Sequence, residues 1–328
     1  IHHLERDRGF VIYDDADSLG VVKEALRRHD LDPKVSDPRG LRWRFDQWKN
    51  QGVLPAEARS NAADIDEEQA AELYATYQRL LVDANALDFG DILLQVVQLF
   101  ERFPRVLGYY QRRWQYVLVD EYQDTNRVQY QLVNMLAAEH RNICVVGDPD
   151  QTIYAWRGAD VRNILDFEGD YEDATTIKLE RNYRSTQPIL TGATAVVANN
   201  QGRREKTMFT ERGGGAKIRL LEAHDDREDA AWVVRQILSQ NREDHRAYKD
   251  FAILYRTNAQ SRSFEEELLK YDVPYAVVGG VRFYDRAEIK DALAYVRLTV
   301  NPDDGQALRR IVNRPARGIG KGTIEKAE

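Results

Sequence analysis

Apolar residues recur along this chain at two different spacings. In SLGVVKEALRRH, Leu19, Val22 and Leu26 stand three and four residues apart, which lines them up on one face of a helix. Asp14, Asp15 and Asp17 lead into that helix, and Pro33, Pro38 and Gly40 interrupt the pattern after it. A second long helix is predicted from about Asp66 to Asn85, so the stretch from Phe10 to Ala86 reads as a small all-helical unit without strands. The pattern then changes. The helical string DILLQVVQLFERF is followed by the short apolar run YVLVD (116–120), the helical TNRVQYQLVNMLAAEH and a second apolar run, ICVVGD (143–148). Alternation continues through TIKLE, a helix after Thr186, IRLLEA, a helix over Ala230 to Leu238, FAILYR, a helix over Ser261 to Leu269, and YAVVG. Short buried strands alternating with helices predict parallel sheets covered by helices, an α/β class. The glycines at 213–215 mark a turn. From Asp285 the chain is helical again through AEIKDALAYVRLTV and QALRRIVN, with a turn over Asn301 to Gly305. Two α/β units are expected, the first with a helical insertion and the second leading into another helical domain.

Composition narrows the class. The chain has 328 residues, 43% apolar and 31% charged, enough apolar mass for packed cores and about two domains. No apolar run is long enough to span a membrane, and IHHLERDRGF lacks a signal peptide's apolar stretch. The single cysteine, Cys144, has no internal disulfide partner and fits a reducing, cytoplasmic setting; it is expected to pack inside its strand. A net charge of −7 argues against a uniformly basic nucleic-acid coat but leaves room for a local basic path. The chain begins at Ile1 and stops at Glu328 within a helical pattern, so it is expected to be a piece of a longer protein.

Three strings carry chemistry. In YVLVDEYQDTN, a strand ends in Asp120 and Glu121, and ligands of open α/β sheets sit beyond the carboxyl ends of strands. Two carboxylates there can divide the labour, one holding Mg²⁺ and one polarising a water; the plainer reading is a charged turn with Asp124 capping the next helix. In GDPDQTIYAWRGAD, Gln151 follows a neighbouring strand, within reach of the same phosphate, and Tyr154, Trp156 and Arg157 come next. Aromatic rings beside an arginine suit base stacking and a phosphate contact, against core packing for the tryptophan. In LERNYRSTQPIL, Arg184 precedes a helix start, a position from which it could stabilise a transferring phosphoryl group. His2 and His3 read as a solvated end, and His29, His140, His224 and His245 lack metal-ligand spacing. Trp43 and Trp48 share a predicted helix and read as partial core packing.

Together VDEYQDTN, GDPDQTIYAWRGAD and LERNYRST resemble, in order, the motifs of superfamily 1 DNA helicases of the PcrA, UvrD and Rep group. LYRTNAQSR, VGGVRFYDRAEIKDALAYVR and NRPARGIGKGTIEK are similar to the same group, so the resemblance covers essentially the whole chain. It implies two RecA-like P-loop NTPase motor domains, each with a helical insertion, binding ATP and Mg²⁺ in the cleft between them and single-stranded DNA across both. On that template residues 1–10 end the first segment of motor domain one, 11–85 are its insertion and 86–174 its second part. Residues 175–283 open the second motor domain and 284–328 begin its insertion. By resemblance Asp120 would hold Mg²⁺ through water and Glu121 would activate the attacking water. Gln151 would sense the γ-phosphate, Arg184 would contact it, and Tyr183 would stack on adenine. Tyr154, Trp156, Arg157 and Asn258 would grip the single strand. Gly318, Ile319 and Gly320 would touch duplex DNA at a single-strand/double-strand junction. Five basic residues and no acidic one between Arg309 and Lys321 agree with that last assignment, since glycines also let backbone N–H groups approach phosphates; a solvated basic helix end is the alternative. The implied activity is ATP-driven 3′-to-5′ translocation and unwinding, with repair or replication proteins as partners.

The chain departs from the group in lacking its upstream adenine-binding glutamine motif, its phosphate loop and the later motifs of the second motor domain, including a second phosphate-contacting arginine. No GxxxxGK[ST] string is present: Pro315 stands where GIGKGT would need its first glycine, and Gly322 follows Lys321. Without a loop to cradle the β- and γ-phosphates, these residues are expected to hydrolyse no ATP alone. Two alternatives follow, a DNA-binding module that has lost its phosphate loop, and the motor subunit of a helicase-nuclease. Asp120, Glu121, Gln151 and Arg184 together weigh against the first, and the regular GGVRFYDRAEIKD string against the second.

Overall fold

The computed structural model describes residues 6–200, 206–278, 287–320 and 323. The predicted helices form close to their expected bounds. In the first third these are α1 (Asp15–Arg28) and α2 (Pro38–Asn50), then, past the unexpected short helix α3 (Pro55–Ser60), α4 (Ile65–Asp83). Asp14 caps α1 with a reciprocal box through Asp17, and Asp88 does the same for the later helix α5 (Phe89–Arg102) through Asp91. Both boxes satisfy amides that would otherwise be unpaired at a helix start. Val22, Leu26, Phe45, Tyr74, Tyr77 and Leu81 fill the core between α1, α2 and α4. The helical stretch is not free of strands: Val11–Ile12 (β1) pairs in parallel with Ala86–Leu87 (β2), so the chain leaves and re-enters at one place. Two-residue strands are too short to show alternation in sequence.

After α6 (Pro104–Arg113), β3 (Val117–Val119) pairs in parallel with β4 (Ile143–Val145) across α7 (Arg127–Ala137). This βαβ step is the predicted one, but the strands are less buried than expected. Leu118 is opposite Cys144 in the register, and both are exposed, Leu118 at 76%. A period of two puts them on one face of the pair, and among the described residues nothing covers that face. The expectation that Cys144 packs inside its strand is therefore corrected. The cap of α7 is Asn126, not Asp124; a 3₁₀ turn over Tyr122–Asp124 intervenes and delays the helix.

The described residues form two compact units. Those within Ile1–Leu179, Asn200–Lys206 and Asp291–Glu328 make one, and those within Glu180–Asn199 and Thr207–Lys290 the other. In the first unit, Arg297 of α13 (Ala287–Val300) binds Asp17 at 2.7 Å and Asp304 at 2.8 Å, and the Tyr13 hydroxyl donates to Asp304. The helix α14 (Gly305–Ile311) follows. In the second unit, α10 (Gln187–Val197), α11 (Asp226–Glu243) and α12 (Ser261–Lys270) match the expected helices. Val234, Leu268 and Val273 form its core. The predicted strands TIKLE, IRLLEA and FAILYR, and the described part of YAVVG, form no ladder. Leu220 and Leu254 in these segments are almost wholly exposed. A strand exists through its neighbour's hydrogen bonds, and among the described residues the nearest to a ladder here is an isolated bridge just after TIKLE, Arg181 to Phe209.

Candidate nucleotide and strand-binding site

The first unit gathers most of the predicted chemistry at the carboxyl ends of β3 and β4. Asp120 and Glu121 follow β3, both exposed, and the Glu121 N–H donates to the Asp120 carboxylate at 2.9 Å. Glu121 adopts left-handed backbone angles (φ 51°, ψ 41°), an uncommon choice for a residue with a Cβ. The ladder around it fixes that choice: Val146 donates to the Val119 carbonyl at 2.8 Å, and Tyr122 to the Val146 carbonyl at 3.0 Å.

A residue given no role at the level of sequence connects the two strand ends. Gln123 is buried, and its amide donates to the Glu121 carboxylate at 2.8 Å while its carbonyl accepts the Asp148 N–H at 3.0 Å. Gly147 makes room for it, because a Cβ there would lie 2.4 Å from the Gln123 carbonyl oxygen. Gln151 in turn donates to the Asp148 carboxylate at 2.7 Å. Lys206 also binds Asp148, and lies 3.3 Å from Asp150. Partial burial opposes the charge on Asp148, but donors from Lys206, Gln151 and the Asp150 N–H hold its carboxyl below the usual range. The string VDEYQDTN contains Gln123 and Glu121 but not Asp148, the partner across the strands; Lys206 carries no sequence signal at all.

Directly after Gln151, a turn over Ala155–Arg157 presents the aromatic cluster. Trp156 is 52% exposed, and Tyr154 and Arg157 are also on the surface. The Arg157 guanidinium sits over both rings, 4.5 Å from that of Trp156 and 5.4 Å from that of Tyr154. Core packing is thereby set aside for Trp156. By contrast Trp48 packs against Phe45 and Tyr74, while Trp43 on the same helix α2 is exposed.

The second unit carries Tyr183, Arg184 and Asn258. Tyr183 and Arg184 are exposed just before Thr186, the N-cap of α10. The Asn182 side chain accepts the N–H groups of Arg184 and Ser185, Arg212 donates to the Arg184 carbonyl, and Arg181 lies over the Tyr183 ring. Asn258 is exposed in the turn before α12, where its carbonyl accepts the Ser261 hydroxyl.

Gly318, Ile319 and Gly320 return to the first unit. Gly318 has φ 69°, and Asn313 clasps the loop, accepting the Ile319 N–H and donating to the Ile319 carbonyl. The basic run beside it is less free than its sequence suggests. Arg310 and Arg314 both pair with Asp291, Arg309 pairs with Glu24, and Arg317 binds the carbonyls ending α14 and the Tyr295 ring. The acidic partners come from other helices and are invisible in the run itself. Lys321 and the GGVRFYDR segment lie outside the described residues.

For Mg²⁺, the donor set fits one kind of binding. Among the described residues no three His, Cys, Asp or Glu side chains stand close enough to cage a metal. The strand tip offers two exposed carboxylates, hard oxygen donors that suit an ion held mainly by water and phosphate.

Comparisons with known proteins show the family. The family model of the UvrD/REP helicase N-terminal domain matches residues 1–172, and that of the UvrD-like helicase C-terminal domain matches 177–328. The chain is 47% identical over 322 residues to the ATP-dependent DNA helicase PcrA of Staphylococcus aureus, and likewise to that of Staphylococcus epidermidis. These alignments cover 98% of this chain and 44% of each relative. No helix among the described residues is long and apolar enough to cross a membrane.

Proposed function

The chain belongs to the UvrD/REP helicase family, and from that premise we propose that it carries the hydrolytic and strand-gripping residues of an ATP-dependent DNA helicase moving 3′ to 5′ on single strands. Its two units then belong to RecA-like motor domains, with residues 11–85 as the first insertion and 284–328 as the start of the second. The observation that most supports this reading is the hydrogen-bonded path in the first unit. It runs from the Glu121 carboxylate through Gln123 to Asp148 and Gln151, and the chain then enters the Tyr154–Arg157 turn.

In this reading Glu121 accepts the proton of the attacking water, and Asp120 holds Mg²⁺ through a water molecule. The ion, when bound, offsets negative charge on the phosphates. Gln151 answers to the presence of the γ-phosphate; a shift of its amide pulls on Asp148 and, three residues on, the turn that bears Trp156. Tyr154, Trp156 and Arg157 hold the strand by stacking and a phosphate contact, with Asn258 as a further contact on the second unit. Arg184 contacts the γ-phosphate, Tyr183 stacks on adenine, and Gly318, Ile319 and Gly320 meet the duplex at the junction. Differential affinity of two nucleotide-dependent shapes for DNA then drives movement. These 328 residues contain no GxxxxGK[ST] string, so ATP turnover by them alone is expected to be absent.

The test is Glu121→Gln in the full-length protein. Single-strand-stimulated ATP turnover should fall by about 10²–10⁴-fold, the usual worth of a positioned base, with nucleotide binding retained. Turnover near wild type would remove Glu121 as the base.

A further inference from the structure

We propose that Asn50 and Gln47, on the last turn of α2, are positioning residues that fix the shape of the Tyr154–Arg157 turn; this rests on the assignment of that turn to strand binding. The turn has little to hold itself. Its internal backbone bonds include Arg157 N–H to the Tyr154 carbonyl and Gly158 N–H to that of Ala155, and its side chains face solvent.

Helix α2 supplies the rest from outside. The Gln47 amide donates to the Trp156 carbonyl at 3.4 Å. The Asn50 carbonyl oxygen accepts from the Asn126 side chain at 2.9 Å, and Asn126 forms an antiparallel bridge with Ala159. Gly158 closes the turn at φ 83°, and a Cβ there would lie 2.9 Å from the Asn50 Cβ. Asn50 thus stands against the end of the turn directly and supports the next residue through Asn126. It is itself immobilised, because its neighbour Lys49 is fully buried and bonded to Asp88 at 2.5 Å and Asp91 at 2.8 Å. The helical insertion therefore sets the geometry of a strand-binding surface that lies more than a hundred residues further along the chain. A turn already in its bound shape loses less freedom on binding.

The experiment uses the full chain, with two readouts: affinity for a fluorescent oligo-dT strand, and amide hydrogen exchange of residues 154–160 without DNA. Asn50→Ala should speed exchange in that segment alone and weaken strand binding by about two- to tenfold, the scale for ordering one or two side chains. Asn50→Asp keeps an acceptor for Asn126 and should restore both values. Gly158→Ala, which strains the turn itself at φ 83° as well as crowding Asn50, should repeat the loss. Trp156→Ala serves as the control for the underlying assignment. If it weakens binding while Asn50→Ala leaves both readouts at wild type, the positioning role is overturned and strand binding stands. If Trp156→Ala binds as wild type, the strand assignment fails and the proposal falls with it. Faster exchange spread across α4 and α5 would also overturn it, since it would mark a general loss of stability.

Discussion

The helical part of the first unit and the β3–β4 strand pair differ in where their side chains spend their contacts. In the helical part, Phe45 stacks on Tyr74 at 5.2 Å and meets the tilted ring of Tyr77 at 5.3 Å, and the Lys49 side chain, with no exposure at all, lies over both tyrosines. Asp88 and Asp91 flank that ammonium, and Tyr77 and Gln78 bond to the two carboxylates. Burial opposes every charge in the cluster. The two carboxylates nevertheless hold Lys49 above its ordinary range; Lys49 and Tyr77 hold Asp88 below its own, and burial keeps Asp91 above. At the strand tips, by contrast, Asp120, Glu121, Gln151 and Trp156 are exposed and held by a few specific hydrogen bonds. Stability is concentrated in the scaffold, and the residues proposed to meet ligand are left open.

That contrast makes predictions of different kinds for the two regions. Lys49→Ala should have the largest effect on folding. It leaves two buried carboxylates without a counter-ion, a loss of about 3–5 kcal/mol, readable as a lower urea midpoint. A loss under about 1 kcal/mol would mean that the cluster relaxes or takes up protons, and the contrast would break. Trp156→Ala should do the reverse. Strand affinity should fall by about 1–3 kcal/mol, the worth of one stacked base, with the urea midpoint unchanged. A shifted midpoint with intact binding would return Trp156 to the scaffold.

The smallest effect sharpens the comparison through pH. Burial, with the nearby Asp88 charge, pushes the Asp46 carboxyl up to about 6, against the pull of Arg42 and Lys49. A carboxyl with a folded-state pKa above its unfolded value of about 3.9 binds protons more readily when folded. Its charge therefore weakens folding above about pH 6, and the penalty fades as pH falls to about 4. Asp46→Asn keeps an acceptor for Arg42 and should raise the melting temperature at pH 8 and leave it unchanged at pH 4. The side chain is partly exposed, so solvent screening keeps the gain modest. An equal gain at both values would detach the effect from titration.

Much of this was legible without coordinates. Helical spacing located α1, α4, α5, α7, α11 and α12 because each buries one face, and that face repeats with the period of the helix. The strings VDEYQDTN and GDPDQTIYAWRGAD placed Asp120, Glu121 and Gln151 at strand ends and Trp156 just beyond, because strand and turn signals are local. The β1–β2 pair was hidden because its partners are far apart in sequence, and the segments from TIKLE to FAILYR were overread because apolar runs do not reveal whether a neighbour exists to pair with.

The amino-acid order by itself determined most of the helices, the acidic lead into α1, the two strand-end motifs and the resemblance to a helicase family. Tertiary structure alone decided that Gln123 reaches both Glu121 and Asp148, that Asn50 braces Gly158, and that Asp291 binds two arginines of a run that looked free. The physical reason is range. Periodicity, capping and turn chemistry act within a few residues, whereas a hydrogen bond or ion pair between distant residues depends on where folding brings each backbone, and no local pattern encodes that position.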